Sequence, residues 1–210
     1  MKLQLALDML DVDGALKVIE HTFEYIDIVE LGTPLIKCVG LKTLIPIIKE
    51  NFPDKLILAD LKTMDVGRYE SDMAFDLGAD IVTVLGTADL ATIQGAKYSA
   101  VSHNKQVLVD MIAVKNILEL TKKIESIAVD FIGIHSGIDQ QQQGMTPLKA
   151  LQSVRKIAHI PVAVAGGITL ETIDSIIAEN PATIIVGGAI TSSKSPEVVA
   201  KQMWERIQIG

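Results

Sequence analysis

The chain has 210 residues, 49% hydrophobic, 21% charged and only 4% aromatic, with 19 basic against 26 acidic side chains and a net charge of −7. That length can bury one large aliphatic core, and the composition excludes a disordered chain. An acidic balance without a basic run argues against a nucleic-acid or anionic-membrane partner, and the single cysteine, Cys38, excludes an internal disulfide and a multi-thiolate metal site. No leader-like block follows Met1-Lys2-Leu3-Gln4, and no run reaches the roughly 18 apolar residues of a membrane span, so a cytoplasmic protein is expected.

Short aliphatic runs alternate with longer amphipathic ones. In chain order, strands are expected at 3–7, 27–31, 55–61, 80–85, 106–110, 130–135, 160–166 and 182–188. Each is four to eight residues long, rich in Leu, Ile and Val, and apolar through its interior, as strands covered on both faces are. Between them, apolar residues recur at spacings of three and four. Ala15, Val18, Ile19 and Thr22 make one stripe, and Leu41, Leu44, Ile45 and Ile48 a second. Ile117, Leu120, Lys123, Ile124 and Ile127 make a third, with Lys123 as a lapse. Eight strand–helix repeats in one undivided domain, residues 1–210, point to an α/β fold, a (β/α)₈ TIM barrel. An open doubly wound sheet of this length usually has fewer repeats. The four glutamines 140–143 follow the sixth strand, in a loop or at a helix start.

In such a barrel, chemistry belongs at the carboxyl ends of the strands. There the chain carries Asp8, Glu30, Asp60 with Lys62 and Asp65, Asp110 and His135, then Gly166-Gly167 and Gly187-Gly188. Asp60 and Lys62 are two apart and face one side of a strand, with Leu61 turned to the helix layer. A carboxylate there would keep the ammonium protonated. Asp8, Glu30 and Asp60 repel one another with only Lys62 against them. Mg²⁺ would offset them economically, with Glu30 and Asp60 as its ligands. His135 faces this cluster and suits proton transfer near neutral pH, a satisfied core histidine being the alternative. His21 and His103 lie late in helices, as helix-end partners, and His159 on the surface at the opposite barrel face. The two glycine pairs follow the seventh and eighth strands, where these barrels hold phosphate. Backbone N–H groups and the hydroxyls of Thr169, Thr191 or Ser192 would bind it, with Thr169 as a helix cap. Neither segment holds Arg or Lys.

The segment Ala59-Asp60-Leu61-Lys62-Thr63-Met64-Asp65 resembles the D-x-K-x-x-D signature of the orotidine 5′-monophosphate decarboxylase suprafamily. Residues 5–8 (LALD), 29–34 (VELGTP), 133–141 (GIHSGIDQQ), 164–168 (VAGGI) and 186–191 (VGGAIT) resemble its hexulose phosphate synthase branch in order along the whole chain. The resemblance implies a dimeric barrel acting on a sugar phosphate. D-Ribulose 5-phosphate would lose its C1 proton to give a Mg²⁺-stabilised enediolate, and this would attack formaldehyde in an aldol condensation. Carried over by position, Glu30 and Asp60 would hold Mg²⁺ and Asp8 would lie beside the substrate. Lys62 would polarise the enediolate oxygens, His135 would move the proton, and Asp65 would reach across a homodimer interface. Orotidine monophosphate decarboxylases have a lysine where Glu30 stands. The 3-keto-L-gulonate 6-phosphate decarboxylases, the alternative reading, carry arginines after the sixth and eighth strands. Here the former segment is Ser136-Gly137-Ile138-Asp139. A phosphate epimerase or a non-catalytic barrel fits less well.

Overall fold

Eight parallel strands pair each with the next, and the last returns to the first, closing a barrel in chain order. The computed structural model describes residues 1–9 and 11–209. The strands are β1 (Lys2–Leu7), β2 (Ile28–Leu31), β3 (Leu56–Thr63), β4 (Ile81–Leu85), β5 (Gln106–Asp110), β6 (Phe131–His135), β7 (Val162–Ala165) and β8 (Thr183–Val186). They match the eight expected runs to within a few residues at each end. The helices in order are α1 (Val12–Thr22), α2 (Thr33–Val39), α3 (Leu41–Asn51), α4 (Gly67–Asp76), α5 (Leu90–His103), α6 (Ile117–Glu125), α7 (Ile138–Gln141), α8 (Leu148–Arg155), α9 (Ile173–Ile177), α10 (Gly188–Thr191) and α11 (Pro196–Ile209).

Alternate strand residues face opposite layers. Ala6, Ile28, Leu58, Ile81, Leu108, Ala163 and Ile185 fill the barrel interior. Leu5, Val29, Ile57, Val82 and Val109 pack outward with the helices, and Leu61 lies partly buried in that outer layer. The expectation of wholly apolar strand interiors is corrected at Gln4, Thr83 and Thr183, which are buried on the strands. Gln4 and Thr83 have partners at the mouth, described below. Stripes one and two lie on α1 and α3 as expected, burying Ala15, Ile19, Thr22, Leu44, Ile45 and Ile48. The third is also found: Ile124 is buried on α6, Ile117, Leu120 and Ile127 pack against the core, and Lys123, the lapse, turns outward to Glu119 at 2.6 Å; Thr121 is buried as well, and α6 ends before Ile127. The spacing of four from Ile117 to Thr121 continues the face, whereas Lys123 falls off it.

The amino-terminal face carries a repeated device. The residue before each even strand donates its N–H to the preceding strand: Asp27 to Leu3, Asp80 to Ile57, Asp130 to Val107, and Ala182 to Val162. At the three aspartates the carboxylate accepts back the N–H of Leu3, Ile57 or Val107, at 2.8 to 2.9 Å. Lysines then neutralise two of them, Lys105 and Lys49 at Asp80, and Lys97 at Asp130. His159 is exposed on this side. His103 ends α5 with Nδ1 at the Ser99 carbonyl and Nε2 at Asp76, the helix-end role expected of it; His21 lies exposed in the last turn of α1.

Burial opposes the charge of Asp80, but Lys105, the Ile57 N–H and Lys49 outweigh it and hold the carboxyl below the ordinary range. A carboxyl lowered on folding stabilises the fold above its unfolded pKa and loses that contribution as pH falls through its folded pKa. Asp80→Asn should therefore cost about 1–3 kcal/mol at pH 7. Denaturant titrations of both proteins should show the gap shrinking below about pH 4, where wild-type Asp80 takes up its proton. A gap that stayed constant with pH would show that the ionised carboxylate is not the stabilising species.

Candidate active site

The polar side chains converge at the carboxyl ends of the strands. Asp60, near the end of β3, is buried, and both its carboxylate oxygens are occupied. Oδ1 accepts the Thr83 hydroxyl from β4 at 2.7 Å. Oδ2 accepts the Thr33 hydroxyl at 2.9 Å and also meets the Lys62 ammonium. Lys62 sits in the left-handed region at φ 49°, where the β3–β4 register shifts between Ala59 and Thr63. Its N–H donates to Thr83 Oγ1 at 2.9 Å, so one hydroxyl holds both the strained backbone and its carboxylate partner. Left-handed lysine is uncommon, and strain of about 1–3 kcal/mol of this kind persists where neighbouring contacts fix it.

Glu30, next to last on β2, lies beside this pair. Its Oε2 accepts the Gln4 amide at 2.6 Å. Burial first and the Asp60 charge second push its carboxyl up to about 8, against the Gln4 bond. Asp8 is exposed at the rim, yet partial desolvation and then the Asp60 charge hold its carboxyl above the ordinary range. A Cβ on Gly32 would overlap Asp8 Oδ1, and one on Gly187 would lie 3.7 Å from Oδ2. Asp8 thus stands between the loops that follow β2 and β8.

Sequence reasoning assigned no role to Asp110, which the structure makes a second hub. Its Oδ2 meets His135 Nδ1 at 2.9 Å and Lys62 Nζ at 3.5 Å, and its Oδ1 accepts the Ile112 N–H. Burial opposes its charge, but the His135 hydrogen bond and charge, then Lys62, hold the carboxyl below the ordinary range. An ionised carboxylate only accepts, so Nδ1 of His135 donates to it, and Nε2 is the ring nitrogen this pair does not use. That is the arrangement of a base held by an orienting acid, not of a core histidine satisfied at both nitrogens. The signal was present: Asp110 ends its strand as His135 does, and Asp60 lies near the end of its own. Burial also opposes the charge of Lys62, but Asp60, Asp110 and Glu30 outweigh it and keep the ammonium protonated above the usual lysine range.

Asp8, Glu30, Asp60, Lys62 and His135 therefore meet in one cluster, as expected. Asp65 does not join it: the side chain is exposed and accepts the N–H of Val66 at 2.7 Å. The glycine pairs take the expected places after β7 and β8. Gly166 has φ 110°, and a Cβ there would overlap the Ser136 carbonyl, so no other residue fits without a shift. At Gly188 a Cβ would meet no atom within 4 Å, which leaves open space above the loop. Thr169 is not a helix cap. A turn intervenes, α9 begins at Ile173, and the Thr169 hydroxyl is engaged by Glu171 at 2.5 Å.

Among the described residues, no three His, Cys, Asp or Glu side chains surround a single point as a closed metal cage. A hard divalent ion needs fewer, since Mg²⁺ binds through one or two carboxylates and completes its shell with water and substrate. Glu30 and Asp60 fit that donor set. Burial and the Asp60 charge favour the protonated Glu30 carboxyl near neutral pH, and a cation in place of that proton relieves the same repulsion.

The profile of the orotidine 5′-phosphate decarboxylase / HUMPS family matches residues 1–203. The 3-hexulose-6-phosphate synthase of Staphylococcus haemolyticus is 43% identical over 209 residues, 99% of each chain. That of Bacillus subtilis is 42% identical over 211 residues, spanning both chains fully. The crystal structure of 3-hexulose-6-phosphate synthase from Salmonella typhimurium superposes with a TM-score of 0.97 at 39% identity, covering 100% of this chain and 99% of that one. With its closed barrel and its acidic, lysine-bearing mouth, this chain belongs to the orotidine 5′-phosphate decarboxylase / HUMPS family.

Proposed function

We propose that this protein is an aldehyde-lyase, a 3-hexulose-6-phosphate synthase. It would condense D-ribulose 5-phosphate with formaldehyde to D-arabino-hex-3-ulose 6-phosphate. The observation that carries the mechanism is the Asp110–His135 pair, which turns Nδ1 to the carboxylate and leaves Nε2 for the substrate, at a mouth that also holds Lys62. Relatives of that name, more than 40% identical over the full length, support the substrate assignment. Nε2 takes the C1 proton of ribulose 5-phosphate, and the electron pair moves onto the carbonyl oxygen as an enediolate. Lys62 donates a hydrogen bond to that oxygen from a fixed position, the preorganised donor that lowers such barriers. Asp8 orients the sugar hydroxyls at the rim. C1 then attacks the formaldehyde carbon, a C–C bond forms, and the new alkoxide recovers a proton from His135. Mg²⁺ held by Glu30 and Asp60 would supply Lewis-acid stabilisation of the developing oxyanion. Phosphate would sit on the backbone of Gly166, Gly167, Gly187 and Gly188.

The competing decarboxylation of 3-keto-L-gulonate 6-phosphate lacks support here, since residues 136–139 contain no arginine and Gly187-Gly188 follow β8. Purified protein with Mg²⁺ should consume formaldehyde together with ribulose 5-phosphate and should act far more slowly on 3-keto-L-gulonate 6-phosphate. A chelator should abolish the condensation, and Glu30→Gln should weaken the response to added Mg²⁺. Preference for the gulonate substrate would overturn the assignment, and full activity in chelator would remove the metal from it.

The partner in this reading is a second copy. Met64, Val66, Tyr69, Met73, Tyr98 and Val101 are exposed hydrophobics around the β3–α4 segment and along α4 and α5. Monomers rarely expose apolar surface so densely. Asp65 lies in the same segment, exposed, between Met64 and Val66. Across a two-fold axis it would enter the partner's mouth. Coexpressed Asp65→Asn and His135→Gln chains test this. Each variant alone should be inactive, whereas the coexpressed pool should recover about a quarter of wild-type activity, because about half of its dimers are mixed and each of those has one intact site of two. No recovery in verified heterodimers would mean that Asp65 serves its own subunit or none.

A further inference from the structure

The four-glutamine run divides its work. Gln140 caps α7, its Oε1 accepting the Gly137 N–H at 2.9 Å. Gln142 and Gln143 are exposed. Gln141 turns back under the loop: its Nε2 donates to the Ser136 carbonyl at 2.7 Å, and its Oε1 lies 3.2 Å from where a Cβ on Gly167 would stand. Ser136 is buried and directly follows His135. Its peptide is gripped on three sides, with its N–H donated to Ala165 at 3.1 Å, its carbonyl accepting Gln141, and its face against Gly166. Two loops thereby share one anchor, the loop after β6 that carries His135 and the glycine loop after β7. The chain has no Arg or Lys in either glycine segment, so the Gln141 carboxamide is a neutral polar group placed directly beside the Gly167 backbone.

We propose that Gln141 is a positioning residue that couples the phosphate cradle to the base. A phosphate held by the N–H groups of the glycine loop fixes the Gly167 backbone that lies beside the Gln141 carboxamide, and the bond from that carboxamide to Ser136 fixes the backbone on which His135 rides. Binding energy from the remote phosphate is in this way converted into alignment of Nε2 with the C1 proton, the use of non-reacting substrate groups that raises kcat rather than lowering KM. The proposal rests on the aldolase reading of the mouth, and it adds to that reading a residue outside the ring of strand-end side chains.

The test is exchange of the C1 proton into D₂O, followed by NMR without formaldehyde, on ribulose 5-phosphate and on D-ribulose. Gln141→Met keeps the volume and removes the donor; Gln141→Ala removes both. For each, kcat on ribulose 5-phosphate should fall about 10–100-fold with little change in KM, as a misplaced base produces. The ratio of the rate on ribulose 5-phosphate to that on D-ribulose should fall with it. A rise in KM at unchanged kcat would make Gln141 a phosphate ligand only. An equal loss on both substrates would make it a prop for His135 with no link to phosphate. Either result, or no change, overturns the proposal. Gly188→Val, whose side chain enters open space, checks the cradle separately and should raise KM for ribulose 5-phosphate. Wild-type protein that exchanges neither substrate would overturn the aldolase reading itself, and that outcome is visible before any variant is made.

Discussion

The carboxylate of Asp60 is the constraint on which the mouth of this barrel depends. It ties three strands together, taking hydroxyls from the β2 and β4 sides and the ammonium of Lys62 on its own strand. Burial first and its charge second keep the neighbouring carboxyls of Glu30 and Asp8 from ionising in the ordinary range. A site built this way holds electrostatic repulsion that a cation can relieve. The fold holds the repelling groups together because each hangs from a separate strand of a closed sheet, which cannot splay to separate them.

Asp110 divides the mouth into two functions. On one side it shares Lys62 with Asp60, and on the other it fixes the tautomer of His135. The lysine is thus held charged between two carboxylates, while the histidine is oriented through its Nδ1. An acid-stabilising group and a base side by side at one pH is the arrangement proton abstraction next to a carbonyl requires. The left-handed backbone at Lys62 and at Val66, both with φ 49°, bounds the segment that contains Asp65. A β-branched residue in that region is costly, and strain is retained at sites whose geometry function demands. Here it turns the chain from an inward lysine to an outward aspartate within four residues.

Much of this was legible in the sequence, for identifiable reasons. Strands covered on both faces read as unbroken Leu, Ile and Val, and strand ends fall in register, so the positions of Asp8, Glu30, Asp60 and His135 followed from counting repeats. Gln4 and Thr83 were not legible, because one polar residue inside an apolar run looks like a lapse until its partner is known. The face between α4 and α5 was also hidden. It is built from Gly67, Ser71 and Ala74 against Thr92, Ala96, Ser99 and Ala100, small residues that carry no hydrophobic stripe yet pack two helices closely. Lys62 gives no sequence sign of its left-handed turn, since lysine has no preference for one. Gln141 was masked by its identical neighbours, and its role depends on a backbone contact between loops that no pattern encodes.

The central proposal is that His135, oriented by Asp110, removes the C1 proton. It is tested most directly by the rate of C1 deuterium incorporation into ribulose 5-phosphate in wild-type, His135→Gln and Asp110→Asn proteins. The account predicts that wild-type protein exchanges the proton without formaldehyde. His135→Gln should lose about 10²–10⁴-fold in rate, and Asp110→Asn should lose less, as the base keeps its place on the strand but loses the partner that orients it. Exchange by His135→Gln at the wild-type rate would contradict the account and pass the role of base to another group at the mouth.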